Sequence, residues 1–475
     1  MTETTAVSGG AWRDLLGARY LGTSTVLAGG VALYATNEFL TISLMPSAVA
    51  EIGGERFYAW VTTVYLVASV IAATTVHPVL MRLGPRRAYL SALAVFGLGS
   101  LGCALAPSME LLLVGRAVQG AAGGLLAGLG YAVINTALPR QLWTRASALV
   151  SAMWGVGTIV GPASGGLFAQ FGSWRWAFGV LTILTAAMAV LVPIALVARN
   201  PTADRPARLR IPLASLLLLG SAALMVSVAG IPSDVRFTAG LLGVAIAIVV
   251  VFVFVDRRAS VAVFPPTTFR PGPLKWIYVT LGLLMAATMV DMYVPLFGQR
   301  LAGLAPVLAG FFGAVLSVGW TAGEITSASL RRRRIIVRTV TIAPLVMAVG
   351  LGIGLLAMRD EMSLPWVIVW AGGLVLAGAG IGMAWPHLSA WAMSRVRDPE
   401  EGPAAAAAIN TVQLICGAFG AGLAGVVVNQ AGGGGEAQAA RLLFGVFAVL
   451  AAIGVIASSR AASGADQTQS GSSSS

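Results

Sequence analysis

Along the chain, long apolar runs alternate with short polar breaks, and the runs are helical in length. Stretches of about twenty or more mostly apolar residues recur from Thr23 to Ser459, and at about 1.5 Å rise per residue each spans the roughly 30 Å hydrocarbon core of a bilayer. Charged or Pro/Gly-rich breaks divide them into fourteen, near 24–48, 57–80, 88–106, 110–138, 144–171, 174–198, 211–231, 237–255, 276–297, 305–329, 336–358, 364–393, 403–430 and 439–459. The pattern predicts an all-α integral membrane protein with fourteen transmembrane helices.

Composition agrees. The chain of 475 residues is 57% hydrophobic and only 10% charged, against about 25% charged in an ordinary soluble domain, which excludes a soluble globular enzyme. Cys103 and Cys416 both lie inside apolar runs, so neither a disulfide framework nor a thiolate metal site is expected. The start, MTETTAVSGG, lacks the basic stretch and short apolar core of a signal peptide, so the first span is expected to be retained.

Charge placement orients the spans. Of 30 basic residues all but Lys275 are arginine, a usage that suggests a GC-rich genome. With the N-terminus inside, twenty-three of them fall in the breaks on one side, six on the other, and Arg116 alone falls within a span. The positive-inside rule then puts both termini in the cytoplasm. The run Arg331–Arg334 has the charge of an anionic-lipid or nucleic-acid patch. As an anchor at the end of the tenth span it has a plainer explanation, and no nucleic-acid partner is expected.

An internal repeat divides the chain. Residues 127–132 (AGLGYA) recur as 379–384 (AGIGMA), and Glu38 and Asp291 stand at nearly the same offset. The glycines of span 5 (Gly157, Gly161, Gly165) and span 13 (Gly417, Gly420, Gly422) match loosely at a similar one. The reading is two six-helix bundles, residues 24–198 and 276–460, related by a pseudo-twofold axis along the membrane normal. Residues 199–275 form a linker with two extra helices, 1–23 a cytoplasmic lead segment, and 461–475 a disordered Ser/Gly-rich tail.

Ionisable groups within the runs are few: Glu38, Arg116, Asp291 and Glu324. Each costs on the order of 2.5 to 3.5 kcal/mol at mid-bilayer, so each needs a partner, a neutral form or a task. One reading makes Glu38 and Asp291 proton carriers with Arg116 as the partner charge. The other is a permanent Glu38–Arg116 salt bridge that only holds spans together. Glu324 has a plain partner in Arg331 or Arg332. His77 and His387, at span ends, suit either a proton relay or an ordinary hydrogen bond. Tyr34, Phe39, Gln119, Trp154, Tyr293, Asn410 and Gln413 could line a cavity with aromatic faces and amides, or simply pack between helices. No phosphate-binding loop, metalloprotease motif or nucleophile–base pair is present.

In span 4, Arg116, Gln119, Gly120 and Gly123 share one helical face. In span 5 the string Gly157-Thr-Ile-Val-Gly161-Pro162-Ala-Ser-Gly165-Gly166 puts small residues four apart, for close helix approach, and a proline that bends the helix. With Trp174-Arg-Trp-Ala-Phe178, Tyr293-Val-Pro-Leu-Phe-Gly-Gln299, the positions Gly303, Pro306, Ala309 and Gly310, and the Asn410, Gln413, Gly417, Gly420 face, the chain resembles the major facilitator superfamily, in particular its fourteen-helix drug:proton antiporter branch. The resemblance implies alternating access, export of lipophilic and often cationic compounds in exchange for protons, no cofactor beyond the proton gradient, a monomer, and a bacterial cytoplasmic membrane. It gives Gly157, Gly161, Pro162, Gly165, Gly166, Arg82 and Arg86 conformational roles.

Two positions depart from the family pattern. Met81 stands where the loop between spans 2 and 3 usually has an aspartate. In span 1 the usual acid position is Asn37, with the acid moved to Glu38, a turn of about 100° around the helix. The leading reading is a proton-coupled drug exporter. The alternatives are an exporter or flippase of an endogenous lipid or envelope metabolite, and a non-transporting receptor or assembly factor. An enzyme is not expected.

Overall fold

The computed structural model describes residues 12–196, 211–396, 398, 401–431 and 434–463, and among them every regular element is a helix. The first group of long helices is α1 (Leu21–Ile52), α2 (Trp60–Ala73), α3 (Val76–Leu105), α4 (Met109–Ala132), α5 (Trp143–Phe171) and α6 (Trp174–Ala195). The second is α7 (Leu213–Ala229), α8 (Val235–Arg258), α9 (Leu274–Thr288), α10 (Val294–Ala302), α11 (Pro306–Gly313), α12 (Val315–Ala328), α13 (Arg333–Ala357), α14 (Leu364–Ser394), α15 (Gly402–Gln430) and α16 (Glu436–Ser463).

Among the described residues, twelve helical stretches are long and apolar enough to cross a membrane. Two expected spans fall outside that set. In α1 the sequence Thr36-Asn37-Glu38 interrupts the apolar run, and α7 has 17 residues. The described parts of the expected linker after residue 198 begin only at Ile211, and most of the expected tail, from residue 464, lies outside the described residues.

The described residues fall into two compact units, one within Met1–Leu44 and Ala68–Ile211, the other within Met45–Val67 and Pro212–Ser475. In the first, α3 packs on α4 and α6. α1 and α5 approach through glycine: a Cβ added at Gly157 would lie 2.7 Å from Ala35 Cβ, and one at Gly161 2.6 Å from Phe39 Cβ. The expected loop between spans 2 and 3 is a kink inside α3. Gly84 turns the chain there with φ 72°, a left-handed conformation that disfavours any residue with a Cβ.

In the second unit α14 packs on α12 and α13, α9 packs on α15 and α16, and α8 packs on α7, which packs on α15. The expected extra pair α7 and α8 thus packs within this unit. Trp60 Nε1 donates to the Ser227 carbonyl (3.2 Å), and a Cβ at Gly422 would meet Ser227 Oγ at 2.8 Å. The proline-rich connection after α8 is pinned as well. Asp256, buried, accepts from the Val263 N–H (2.7 Å) and the Phe264 N–H (3.1 Å), so the carboxylate satisfies backbone donors that a proline-rich turn leaves without partners.

Candidate functional site

The first unit builds a charged centre around α1 and α4. Arg116, 1% exposed, donates through Nη1 to Gln119 Oε1 at 2.9 Å, and Gln119 Nε2 donates to Ser100 Oγ on α3 at 2.8 Å. The i, i+3 spacing in α4 makes the first bond possible, and close packing makes the second: a Cβ at Gly99 would lie 2.9 Å from Gln119 Cγ. Gln119 is thus fully buried as a clamp on the arginine. Glu38, half-buried on α1, lies within electrostatic reach of Arg116. Its Oε2 is buried with no hydrogen-bond partner among the described residues, and so are both amide atoms of its neighbour Asn37. Such groups in a membrane protein are costly and call for a ligand, water or proton. Asn37 drew notice in the sequence only as the residue replacing an acid.

Tyr34 and Trp154 meet edge to face with centroids 5.5 Å apart, and Phe39 is half-buried beside Gly161. The glycine string of α5 therefore seats the segment of α1 that carries Tyr34, Glu38 and Phe39. Ser43 Oγ donates to the carbonyl of Pro162 (3.2 Å), and Gly165 sits against the Leu40 carbonyl, 2.6 Å from an added Cβ; Gly166 is buried. Arg82 is exposed and Arg86 half-buried on either side of the Gly84 kink, with Met81 exposed. The structure does not join these arginines to the Glu38 centre.

The second unit places Asp291, 8% exposed, where span 9 breaks. The sequence predicted one continuous helix over 276–297. Instead α9 ends at Thr288, Met289–Tyr293 forms a 3-10 turn, and α10 begins at Val294. The cause is Pro295. In an α-helix the Asp291 carbonyl would accept from the N–H of residue 295, which proline lacks, and it accepts from Val294 N–H one residue earlier. A run of 3-10 geometry inside a span commonly marks a hinge or a functional site. Tyr293, 1% exposed, stacks on Tyr58 (centroids 4.8 Å, 24° between planes) and on Phe297 (5.9 Å), while the Tyr58 hydroxyl donates to the Met292 carbonyl at 3.1 Å. Tyr293, one of the expected cavity residues, is thus part of an aromatic stack. α15 packs on this turn, with Gln413 half-buried and Asn410 exposed. A Cβ at Gly420 would lie 2.4 Å from the Ala286 carbonyl.

Two further constellations escaped sequence reading. Arg300 is paired with both Glu55 and Glu436, partners 245 and 136 positions away that no local pattern connects to it. On α12, Glu324 accepts from Trp320 Nε1 (3.1 Å) rather than from the expected arginines, and Trp320 packs on Trp385 with centroids 5.3 Å apart. His387 hydrogen-bonds Ser327 Oγ through Nε2 at 2.8 Å. Among the described residues no group of His, Cys, Asp and Glu could hold a metal ion.

The family model for the Major Facilitator Superfamily matches residues 27–421. The chain is 62% identical over 465 residues to a protein of Mycobacterium tuberculosis named "Probable multidrug-efflux transporter", covering 97% of this chain and 98% of that one. It is 28% identical to the puromycin resistance protein of Streptomyces alboniger, over 87% of this chain and 82% of that one. Among solved structures it resembles a D-xylose-proton symporter, with a TM-score of 0.65 at 15% identity over 92% of this chain and 97% of that one. It also resembles an auto-inhibited POT family peptide transporter, with a TM-score of 0.66 at 14% identity over 93% of this chain and 96% of that one.

Proposed function

The chain belongs to the Major Facilitator Superfamily, and from that premise we propose that it is a proton-driven exporter of lipophilic, cationic drugs. As a member it is a multi-pass membrane transporter of small molecules and not an enzyme. Export of drugs is supported by the relatives named for multidrug efflux and puromycin resistance. The observation that carries the coupling is Asp291, a buried acid at the interruption of an apolar span. An acid there holds a charge at a cost the bilayer makes large, which a partner, a bound cation or the neutral protonated form offsets, and the last two suit a carrier. Glu38, beside the Arg116 charge, is the second carrier.

The scheme is exchange. Protons reach Asp291 and Glu38 from outside, displace the cation, and leave on the cytoplasmic side after the cavity has turned. One proton exchanged for one monovalent cation moves no net charge, so a pH gradient drives that exchange; for a neutral substrate, or with a second proton, about 100 mV adds about 2.3 kcal/mol, roughly a fifty-fold gradient. No ATP site or cofactor is required. The surplus pair α7 and α8 favours the fourteen-helix drug:proton antiporter branch, a monomer in a bacterial cytoplasmic membrane with both termini inside.

Purified protein in liposomes, assayed with cationic dyes, antibiotics and lipids under an imposed inward proton gradient, tests this reading. Gradient-dependent movement of cations, lost in Asp291→Asn with the protein still folded, is the expected result. Transport of a lipid alone, or full proton-driven transport by Asp291→Asn, would overturn it.

A further inference from the structure

Two tryptophans in the second unit each carry an arginine over the ring, and one of these arginines reaches the backbone beside the other. The Arg460 guanidinium lies 4.5 Å from the ring centroid of Trp276, with the Lys275 ammonium 5.8 Å from the same ring. The Arg395 guanidinium lies 4.6 Å from the ring of Trp391 and donates through Nη1 to the carbonyl of Ala461 at 2.9 Å, next to Arg460 in the chain. Arg395 is half-buried and also feels the Arg333 charge. Burial first, and then that like charge, lower its pKa below the usual arginine value. The start of α9, the start of α13, the end of α14 and the end of α16 thus bring cations together.

The surrounding sequence does not balance them. Segments 270–275, 331–338 and 395–401 with Arg460 hold ten basic residues and three acids, and one of the acids, Glu401, accepts from the Thr267 N–H at 3.3 Å. Cations crowded at the ends of apolar helices beside tryptophan, a residue enriched at membrane–water interfaces, are complementary to a phosphate ester at headgroup depth.

We propose that Lys275, Arg395 and Arg460, framed by Trp276 and Trp391, bind the phosphate of an anionic phospholipid. The indoles hold the cations in place, so less side-chain freedom is lost when the headgroup arrives. The Arg331–Arg334 run supplies a diffuse field around the site, while the site itself is assembled from the ends of four helices. The reading is independent of what the protein exports.

The full-length protein, delipidated in detergent, is titrated with phosphatidylglycerol, with phosphatidylethanolamine and with inorganic phosphate, and bound lipid is read by native mass spectrometry. Phosphatidylglycerol binds more tightly than phosphatidylethanolamine, and Arg395→Gln/Arg460→Gln weakens it by roughly ten- to thirtyfold. Lys275→Gln/Arg460→Gln alters only exposed side chains and weakens it comparably, which keeps the test valid should the Arg395 variant unfold. Arg257→Gln/Arg258→Gln, at the end of α8, retains the parent affinity. Equal binding of the two lipids, parent affinity in both cluster variants, or displacement of the lipid by an equal concentration of inorganic phosphate would overturn the proposal.

Discussion

Single residues decide how closely α1 and α5 approach. Gly161 leaves no room for a side chain, since an added Cβ would lie 2.6 Å from Phe39 Cβ and 2.9 Å from the Leu40 nitrogen. Gly155, on a different face of the same helix, has nothing within 4 Å of its added Cβ. Gly161→Val is therefore expected to destabilise the protein by roughly 1 to 3 kcal/mol, the usual cost of overpacking, and Gly155→Ala to leave it nearly unchanged. Thermal unfolding in detergent separates the two, and equal melting points would count against close packing as the role of the string. The same scale shows the limit of residue-by-residue reading. Gln119 looked like a cavity amide, yet it is engaged by Arg116, Ser100 and the Cys103 thiol.

At the scale of an element, the break in span 9 is written in one residue. Pro295 denies the Asp291 carbonyl its α-helical donor, and the chain tightens to 3-10 geometry around the acid. Pro295→Ala restores an N–H at that position. The turn Met289–Tyr293 is then expected to relax toward α-helix, with slower amide hydrogen exchange over 291–295 and slower transport turnover at normal expression. Exchange indistinguishable from the parent's would remove Pro295 as the cause. A proline four residues after an acid in an apolar run was available in the sequence as a signal. It was missed because hydropathy measures the length of a run and is blind to which backbone bond within it is lost.

For the whole molecule, contacts between distant parts of the chain set the result. Arg300 binds Glu55 and Glu436, and their side chains remain 35%, 65% and 39% exposed. Exposed pairs contribute little, about 0 to 1 kcal/mol each, so Arg300→Met is expected to lower the melting temperature only slightly. The loop over 53–57, which this pairing holds, should exchange its amides distinctly faster, and unchanged exchange there would show that the network does not order it. The orientation proposed from arginine placement has its own check. In a variant lacking Cys103 and Cys416, a cysteine at Ser363 should react with an impermeant thiol reagent in intact cells, and one at Ser394 only after permeabilisation. The reverse pattern would invert the topology.

The chain by itself determined the class of protein and the placement of most of its apolar helices, because burial in lipid is fixed by local composition: a run of twenty apolar residues with few charges has one favourable environment whatever it packs against. It also determined the glycine string of α5, since close helix approach demands small residues at fixed spacing. The tertiary structure alone decided that α7 and α8 belong within the second unit, that Arg300 joins Glu55 and Glu436, and that Arg460 lies over the Trp276 ring. Each of these depends on which helix faces which. In an apolar chain that choice is governed by close packing and scattered hydrogen bonds between residues hundreds of positions apart, and these leave no periodic trace along the sequence.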